Sequence, residues 1–399
     1  MGCKVAYVPL GDLAEFESGG TPSKKDERYW NGNIPWISAK TLVGDAVYES
    51  DLSITKEGLD AGSKLAAKGS LLLLTRGSGL FKRISLAIAG KDVAYNQDIK
   101  CIRATAKGIS NRYLFYVLRT LEPAISAMLE TTGIGAGKLA TDRLRALPVP
   151  VLDEADRAKV TTFADCIYKK ISLNTKLNGY LEELGQSVLE KYRQSCVTTI
   201  PLHDIMDFGN GYAFKSGAYV QNGPYKVLTI KNVQDGSVDC STSNRIDELP
   251  PKMKSYCKLH PGDVVLSLTG NVGRVGIVAE KNCLLNQRVA VLQPHNYALL
   301  PGLYFYFRQR AFQNEMIGIA KGTAQANLSP VETLKLEMPY NESFLETSRE
   351  LTPAYDLILA NTIESKRLAI LRDTLLPKLM SGEIDVSEVD LTQLNSHLA

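Results

Sequence analysis

The stretch Gly69-Ser-Leu-Leu-Leu-Leu-Thr-Arg-Gly77 recurs in outline as Gly262-Asp-Val-Val-Leu-Ser-Leu-Thr-Gly270. Each copy is an apolar run between two glycines, which is typical of a buried strand followed by a turn. An offset of about 190 residues brings further motifs into register in the same order. These pairs are Pro9-Leu-x-Asp-x-x-x-Phe-x-x-Gly19 with Pro201-Leu-x-Asp-x-x-x-Phe-x-x-Gly211, Asn96-Gln97 with Asn286-Gln287, and Phe115-Tyr116 with Phe305-Tyr306. The ordered matches predict an internal duplication.

Each repeat has two parts with different periodicities. Residues 1–152 and 197–341 contain short β-type runs broken by Gly, Asn and Asp, which predicts two similar α+β globular domains. Residues 154–194 contain no proline and only two glycines, and the C-terminal copy repeats their apolar spacing, which predicts two long spacer helices at 153–196 and 342–385 and leaves 386–399 as a tail. A chain that returns after each globule places the two helices side by side and antiparallel. The predicted architecture is therefore α+β, with two similar globular domains separated by two antiparallel coiled-coil helices related by a pseudo-twofold repeat.

The helical segments carry apolar residues at alternating spacings of three and four, as a coiled-coil seam requires. A polar residue within such a seam typically fixes the register of the two helices. Lys170, Gly179 and Gly185 interrupt the first segment, which leaves its exact packing open. The residues predicted to form the seam or to dock partners are Ile167, Asn174, Leu177, Leu181 and Leu184 in the first helix, and Asn361, Leu368, Leu371 and Leu375 in the second.

Composition indicates a globular protein of more than one domain. The chain has 399 residues, of which 44% are hydrophobic and 22% charged, and its formal net charge is +3. The seven cysteines are scattered without a Cys-x-x-Cys pair, which favours reduced thiols. The start of the chain does not resemble a signal peptide, and the longest apolar run is too short to cross a bilayer. These features predict a cytoplasmic protein.

No catalytic motif stands out. The four histidines have no metal-ligand spacing, and no phosphate-binding loop of the Gly-x-x-x-x-Gly-Lys type occurs. Gly270-Asn-Val-Gly273-Arg-Val-Gly276 resembles a dinucleotide fingerprint but lies between two β-type runs, so we interpret it as a hairpin. An Asn/Asp-Pro-Pro-aromatic motif for adenine methylation and an acidic nuclease motif are also lacking. We therefore expect no enzyme activity, no metal and no cofactor in this chain.

Polar loops in each globule carry side chains of the types that DNA readout needs. Arg and Lys bind phosphates or guanine, and Asn and Gln can read adenine. The candidates in the first globule are Thr21, Lys24, Lys25, Arg28, Lys40, Arg76, Ser78, Lys82, Arg83, Lys138 and Arg143. Those in the second are Tyr212, Lys215, Lys231, Asn232, Thr269, Asn271, Arg274, Lys321, Thr323, Gln325 and Asn327.

Structural explanations compete with DNA contact for several of these residues. The charged groups could be solvated, and hairpin geometry alone accounts for the glycines. The Asn-Gln pairs stand at strand entries, where bonding to the backbone is at least as plausible as contact with bases. Trp30 and Trp36 are interpreted as core residues and not as stacking platforms.

The duplicated Pro-Leu-x-Asp, the strand before a Gly-rich loop, the Asn-Gln pair and the terminal Leu371-Arg-Asp-Thr-Leu-Leu-Pro-Lys-Leu-Met-Ser-Gly-Glu-Ile384 resemble type I restriction–modification specificity subunits. The resemblance implies that each globule reads one half of a bipartite, asymmetric site in double-stranded DNA. It also implies that the helices set the gap and dock two methyltransferase subunits, with restriction subunits added for cleavage. S-adenosylmethionine, ATP and Mg²⁺ then belong to these partners.

Two alternatives remain open from sequence. One is a bivalent scaffold that binds protein or RNA, which sequence-independent and salt-resistant binding would favour. The other is a stand-alone methyltransferase or nuclease, which turnover by the isolated chain would favour.

Overall fold

The computed structural model describes residues 5–133, 135–322 and 326–386. The chain forms two compact units, one of Met1–Lys169 with Ala369–Ala399 and the other of Lys170–Leu368. Both boundaries fall inside long helices, so each unit contains one globular domain together with a segment of each helix.

The first globular domain contains five short helices, α1 (Leu10–Leu13), α2 (Lys56–Gly62), α3 (Asn111–Thr120), α4 (Glu122–Ala127) and α5 (Thr141–Arg145). Its strands are β1 (Ala6–Pro9), β2 (Ala14–Ser18), β3 (Trp30–Ile37), β4 (Ala46–Val47), β5 (Ser53–Ile54), β6 (Leu65–Ala66), β7 (Leu71–Leu74), β8 (Arg76–Gly77), β9 (Leu86–Ala89), β10 (Val93–Tyr95), β11 (Ile99–Ala104), β12 (Glu130–Thr131), β13 (Gly137–Lys138) and β14 (Pro148–Val151). The helix α6 (Glu154–Ser195) follows.

The second domain begins after α6. Its strands are β15 (Thr199–Pro201), β16 (Met206–Asn210), β17 (Tyr225–Leu228), β18 (Gly236–Ser237), β19 (Asn244–Ile246), β20 (Lys258–Leu259), β21 (Val264–Ser267), β22 (Val275–Ile277), β23 (Cys283–Leu285), β24 (Val289–Pro294) and β25 (Glu337–Pro339). Its helices are α7 (Leu300–Phe307), α8 (Arg310–Ile319) and α9 (Pro330–Thr333), and α10 (Ser343–Met380) follows.

The two larger sheets have the same topology in both domains. A five-stranded sheet has the order β2-β11-β7-β9-β4 in the first domain and β16-β24-β21-β22-β18 in the second. A four-stranded sheet has the order β5-β3-β10-β6 in the first and β19-β17-β23-β20 in the second. Even the parallel pairs recur, since β4 with β9 and β3 with β10 correspond to β18 with β22 and β17 with β23. The predicted α+β duplication is confirmed.

Each domain is built around one central buried helix. In α3, Tyr113 to Leu118 are six consecutive buried residues, and all eight residues of α7 are buried. A helical segment that is buried over more than a full turn must be enclosed by other elements. Ser110 caps α3, because its hydroxyl oxygen accepts a hydrogen bond from the Tyr113 backbone N–H at 3.1 Å.

The two long helices pack against each other within the second unit through a buried polar cluster. Asn174 Nδ2 donates to Glu364 Oε2 at 2.8 Å and to Ser365 Oγ at 3.2 Å, and Asn361 Nδ2 donates to Asn178 Oδ1 at 2.8 Å. Asn174 contacts Glu364 and Ser365, whereas the later residue Asn178 contacts the earlier residue Asn361, so the two helices are antiparallel there. Asn174 and Asn361 are both buried, as a register-fixing pair in a seam should be.

The other predicted seam residues differ in burial. Ile167 and Leu368 are buried, and Leu177, Leu181, Leu371 and Leu375 are partly buried. Leu184 is 54% exposed, so it does not pack in the seam, and only its alternative role in docking a partner stays a prediction. The neighbouring Gly185 faces inward instead, because only a residue without a Cβ fits against the ring of Phe305. This close approach turns Leu184 to the surface.

Candidate nucleic-acid interface

Backbone hydrogen bonds bring three polar loops of the first domain to one edge. Gly20 N–H donates to Tyr95 O at 2.9 Å, which joins the loop after β2 to the turn after β10. Thr75 N–H donates to Asp98 O at 2.8 Å, and Leu139 N–H donates to Thr75 O at 2.9 Å. Residues distant in sequence therefore share one edge of the sheets.

The second domain repeats these bonds at the equivalent positions. Tyr212 N–H donates to Leu285 O at 2.8 Å, Leu268 N–H to Arg288 O at 3.0 Å and Leu328 N–H to Leu268 O at 2.7 Å. Both domains therefore hold their loops with one pattern of main-chain bonds.

A glycine completes this pattern in each domain. A Cβ on Gly19 would lie 2.2 Å from Tyr95 O, and one on Gly211 would lie 2.0 Å from Asn286 O. These distances are far below a normal contact, so Gly19 and Gly211 are required by the close approach of the loop to the Asn-Gln turn in each domain.

An open cavity of about 430 Å³ lies at the edge of the first domain. Two predicted DNA contacts, Lys24 and Lys40, are exposed in its wall. Lys40 Nζ lies 3.1 Å from Asp51 Oδ2, and this hydrogen bond lowers the pKa of Asp51. The cavity therefore combines cationic groups with hydrogen-bond acceptors. Its lining is completed by Thr21, Trp36, Ser38, Leu52, Asn96 and Gln97.

The other cations of the loop before β3 differ in their surroundings. Lys25 is exposed. Arg28 is also exposed, but its guanidinium makes two hydrogen bonds with Asp26, at 3.0 and 2.8 Å. These bonds lower the pKa of Asp26, and the carboxylate partly neutralises the charge that Arg28 presents to a phosphate.

A second group of polar residues surrounds β8. Arg76, Ser78, Lys82 and Arg83 are exposed in the loop between β7 and β9. Lys138 on β13 stands opposite Arg76 on β8, and Arg143 lies 3.5 Å from Glu130. The predicted cations therefore cluster around one small three-stranded sheet, where they can contact a phosphate backbone.

In the second domain the predicted residues fall into two groups. Tyr212, Lys215, Lys231, Asn271, Lys321 and Asn327 are exposed or partly exposed at the equivalent edge. Lys321 and Asn327 exchange two backbone hydrogen bonds, at 3.0 and 2.8 Å. The half-buried Arg274 donates to Gln234 Oε1 at 3.3 Å. Thr323 and Gln325 lie outside the described residues.

Two predictions in this domain do not fit the structure. Asn232 is 1% exposed, and its amide accepts from Thr229 N–H and Oγ1 and donates to Asp239 O, all at 2.9 Å. It holds a turn, its amide oxygen already accepts two hydrogen bonds, and its burial keeps the amide away from a base. Thr269 is buried and its hydroxyl oxygen is shielded from solvent, so its side chain cannot reach DNA in this conformation.

Phe81 is a residue at this edge that the sequence did not single out. It is 51% exposed in the same loop as Lys82 and Arg83. An exposed aromatic side chain in a basic loop can contact a thymine methyl group or a base step. Its position in the sequence, between the glycines of a turn and the cations Lys82 and Arg83, could have indicated this exposure.

Trp30 and Trp36 support the loop between β2 and β3. Trp36 Nε1 donates to Gly20 O at 3.1 Å, Trp30 Nε1 donates to Ser23 O at 3.0 Å, and the two rings meet edge to face at 5.4 Å. Trp36 is 5% exposed, which agrees with the interpretation as a core residue. Both indoles therefore hold the loop from beneath.

Within the described ranges, no cluster of His, Cys, Asp or Glu has the geometry to hold a metal ion. Over the same part of the chain, no helix combines the length and the apolar character needed to cross a membrane.

The fold and its two equivalent polar edges define a protein with two recognition domains. The family model "Type I restriction modification DNA specificity domain" matches residues 4–183 and 195–343. The chain therefore belongs to the type I restriction–modification specificity-subunit family, and the resemblance inferred from sequence is confirmed.

Individual relatives agree with this assignment. The type I restriction enzyme MjaIX specificity subunit of Methanocaldococcus jannaschii is 24% identical over 417 residues, which covers 95% of this chain and 93% of the relative. The EcoR124I/EcoR124II specificity subunit of Escherichia coli is 27% identical over 198 residues, covering 48% of this chain and 47% of that one. The crystal structure of a type I restriction–modification S subunit from M. genitalium superposes with a TM-score of 0.59 at 16% identity, covering 94% and 96% of the two chains. These findings do not support the scaffold alternative.

Proposed function

We propose that this chain selects the DNA site for a type I restriction–modification enzyme, with each domain reading one half of a bipartite, asymmetric sequence. One observation carries the proposal. The two domains hold their polar loops with the same backbone hydrogen bonds but present different side chains. Equal scaffolds with unequal loops can bind two different half-sites.

Affinity and specificity come from different groups at these edges. Those exposed lysines and arginines that contact phosphates give salt-dependent binding of any sequence. Contacts with base edges then supply roughly 1–3 kcal/mol of discrimination for each good bidentate pair. A rigid two-domain reader favours half-sites about one helical turn apart.

The chemistry belongs to partner subunits in this proposal. Two methyltransferase subunits bind S-adenosylmethionine and transfer its methyl group to adenine, and restriction subunits use ATP and Mg²⁺. The α6 face formed by Leu173, Tyr180 and Leu184 is 54–66% exposed and offers an apolar surface to a methyltransferase subunit. The chain then acts in the cytoplasm, where the host DNA lies.

The experiment is modification-sensitive sequencing of host DNA with and without an intact copy of the gene. Loss of a split motif with methylated adenine in both halves supports the proposal and identifies the target. An unchanged methylation pattern, together with no sequence-specific binding by the complex with its methyltransferase subunits, contradicts it.

An exchange of domains tests the division of labour. Replacing residues 197–341 with the same domain of another family member should change one half-site and leave the other. A change in both halves, or in neither, contradicts the assignment of one domain to each half-site.

A further inference from the structure

The Asn96-Gln97 pair contains one structural and one available side chain. Asn96 is 7% exposed, its Oδ1 accepts from Asp98 N–H at 3.2 Å, and its Nδ2 donates to Asp98 Oδ2 at 3.2 Å. The amide of Asn96 is therefore committed to the turn. Gln97 is exposed and lines the cavity at the edge of the first domain.

The Gln97 amide is held in one orientation by a residue distant in sequence. Thr21 Oγ1 donates a hydrogen bond to Gln97 Oε1 at 2.6 Å. An amide oxygen has two lone pairs and an amide nitrogen has two protons, so this bond leaves one acceptor site and both donors. A side chain that is already oriented loses less conformational entropy when it binds.

The surroundings of Gln97 suit the edge of a base in duplex DNA. The cavity of about 430 Å³ is open to solvent, and Lys24 and Lys40 stand in its wall. Lysines at the rim can bind the phosphates on either side of a base. The cavity therefore contains a hydrogen-bonding amide and two cations, of which Lys40 is paired with Asp51.

We propose that Gln97 reads an adenine of the first domain's half-site in the major groove. Its Nε2 donates to adenine N7, and the free lone pair of Oε1 accepts from the N6 amino group. Guanine presents two acceptors at the same positions, so the oriented Oε1 faces O6 and guanine is disfavoured. Thr21 is a positioning residue that acts through Gln97. This inference rests on the proposed function of the chain.

The second domain provides a natural comparison. Gln287 is exposed at the equivalent position, and its backbone N–H donates to Tyr212 O at 3.0 Å. With Gly19 aligned on Gly211, Ala213 stands where the first domain has Thr21. The hydroxyl tether therefore belongs to the first domain, and Gln287→Ala is the matched control for Gln97→Ala.

The first test is the methylated motif in cells that carry the complete system. Gln97→Ala should relax one adenine position in one half-site and leave the other half-site unchanged. The isosteric Gln97→Glu keeps an acceptor but loses the N–H donors, so it should relax the same position. Gln287→Ala should leave that half-site intact. A motif unchanged in both Gln97 variants, or altered in both halves, overturns the inference.

The second test uses the assembled methyltransferase complex and duplexes that carry 7-deazaadenine, which lacks N7, at each adenine of that half-site in turn. The unaltered complex should bind about 5- to 150-fold more weakly at one position. Gln97→Ala should show no further loss there. Thr21→Val should reduce the sensitivity to 7-deazaadenine, and Thr21→Ser should restore it.

The outcomes separate this inference from the function on which it rests. An unaltered complex without sequence-specific binding overturns both. A specific complex in which Gln97→Ala keeps full sensitivity to every 7-deazaadenine overturns the role of Gln97 alone. Discrimination at the other base pairs of the same half-site, measured with single substitutions in the same duplexes, reports whether the first domain of each variant is folded.

Discussion

Two glycines of α6 should respond in opposite ways to the same substitution. Gly179 and Gly185 are both helical, so Gly→Ala gains about 0.8–1 kcal/mol of helix propensity at either position. A Cβ on Gly179 meets no atom within 4 Å among the described residues. A Cβ on Gly185 would lie 2.3 Å from both Cδ1 and Cε1 of Phe305, whose side chain is fully buried.

The difference between the two variants isolates the packing cost, because the gain in propensity is common to both. Carbon atoms pack at about 3.5–4.0 Å, so the Phe305 ring or the helix must move by more than 1 Å. Overpacking of this kind costs about 1–3 kcal/mol. We therefore expect Gly179→Ala to stabilise the second unit and Gly185→Ala to be about 1–3 kcal/mol less stable than Gly179→Ala.

The assay is amide hydrogen exchange of α7, which contains Phe305. A difference of 1–3 kcal/mol corresponds to about 5- to 150-fold faster exchange of its most protected amides in Gly185→Ala than in Gly179→Ala. The two tryptophans, Trp30 and Trp36, lie in the other unit, so unfolding followed by their fluorescence provides an internal control. Equal exchange in the two variants would refute the argument that Phe305 requires a glycine.

Two further predictions concern single side chains. Although burial raises the pKa of Glu280, hydrogen bonds from Lys226 and Lys366 lower it to about 2. This stabilisation is present above the unfolded pKa near 4.5 and is lost as the pH falls towards 2. Glu280→Gln should therefore be about 1–3 kcal/mol less stable than the unaltered chain at pH 6, with a flatter acid-denaturation profile. Parallel acid-denaturation profiles of the two proteins would contradict this role of Glu280. Arg76→Ala should relax one position of the first domain's half-site by roughly 1–3 kcal/mol, while Arg28→Ala, which removes a guanidinium already paired with Asp26, should have a smaller effect; an unchanged motif in Arg76→Ala removes Arg76 from the interface.

The repeat made most of the fold predictable. The largely apolar runs Leu71–Leu74 and Val264–Ser267, each followed by a glycine, predict buried strands, and the structure has β7 and β21 there. The correspondence of Gly19 with Gly211 was visible in the sequence. Its cause, a main-chain oxygen about 2 Å from the missing Cβ, required coordinates.

The interface was less predictable because residue type does not report the partners of a side chain. Asn232 and Gln97 are both polar residues in predicted loops, yet the Asn232 side chain is hydrogen-bonded within a turn and Gln97 is exposed. The Thr21–Gln97 hydrogen bond joins positions 76 residues apart, a separation at which a single sequence carries no signal. Leu184 shows the same limit for helices. The heptad pattern assigns Leu184 to the seam and does not reveal that Gly185 faces inward in its place.

The main-chain hydrogen bonds that join the loops within each recognition edge have an evolutionary consequence. Gly20 to Tyr95, Thr75 to Asp98 and Leu139 to Thr75 are joined through main-chain N–H and C=O groups, which almost any amino acid supplies. Mutations at loop positions whose side chains hold no turn can therefore accumulate without loss of folding, provided that Gly19, Gly211 and structural side chains such as Asn96 and Asn232 are kept. Such a chain can drift from one target sequence to another through intermediates that all remain folded.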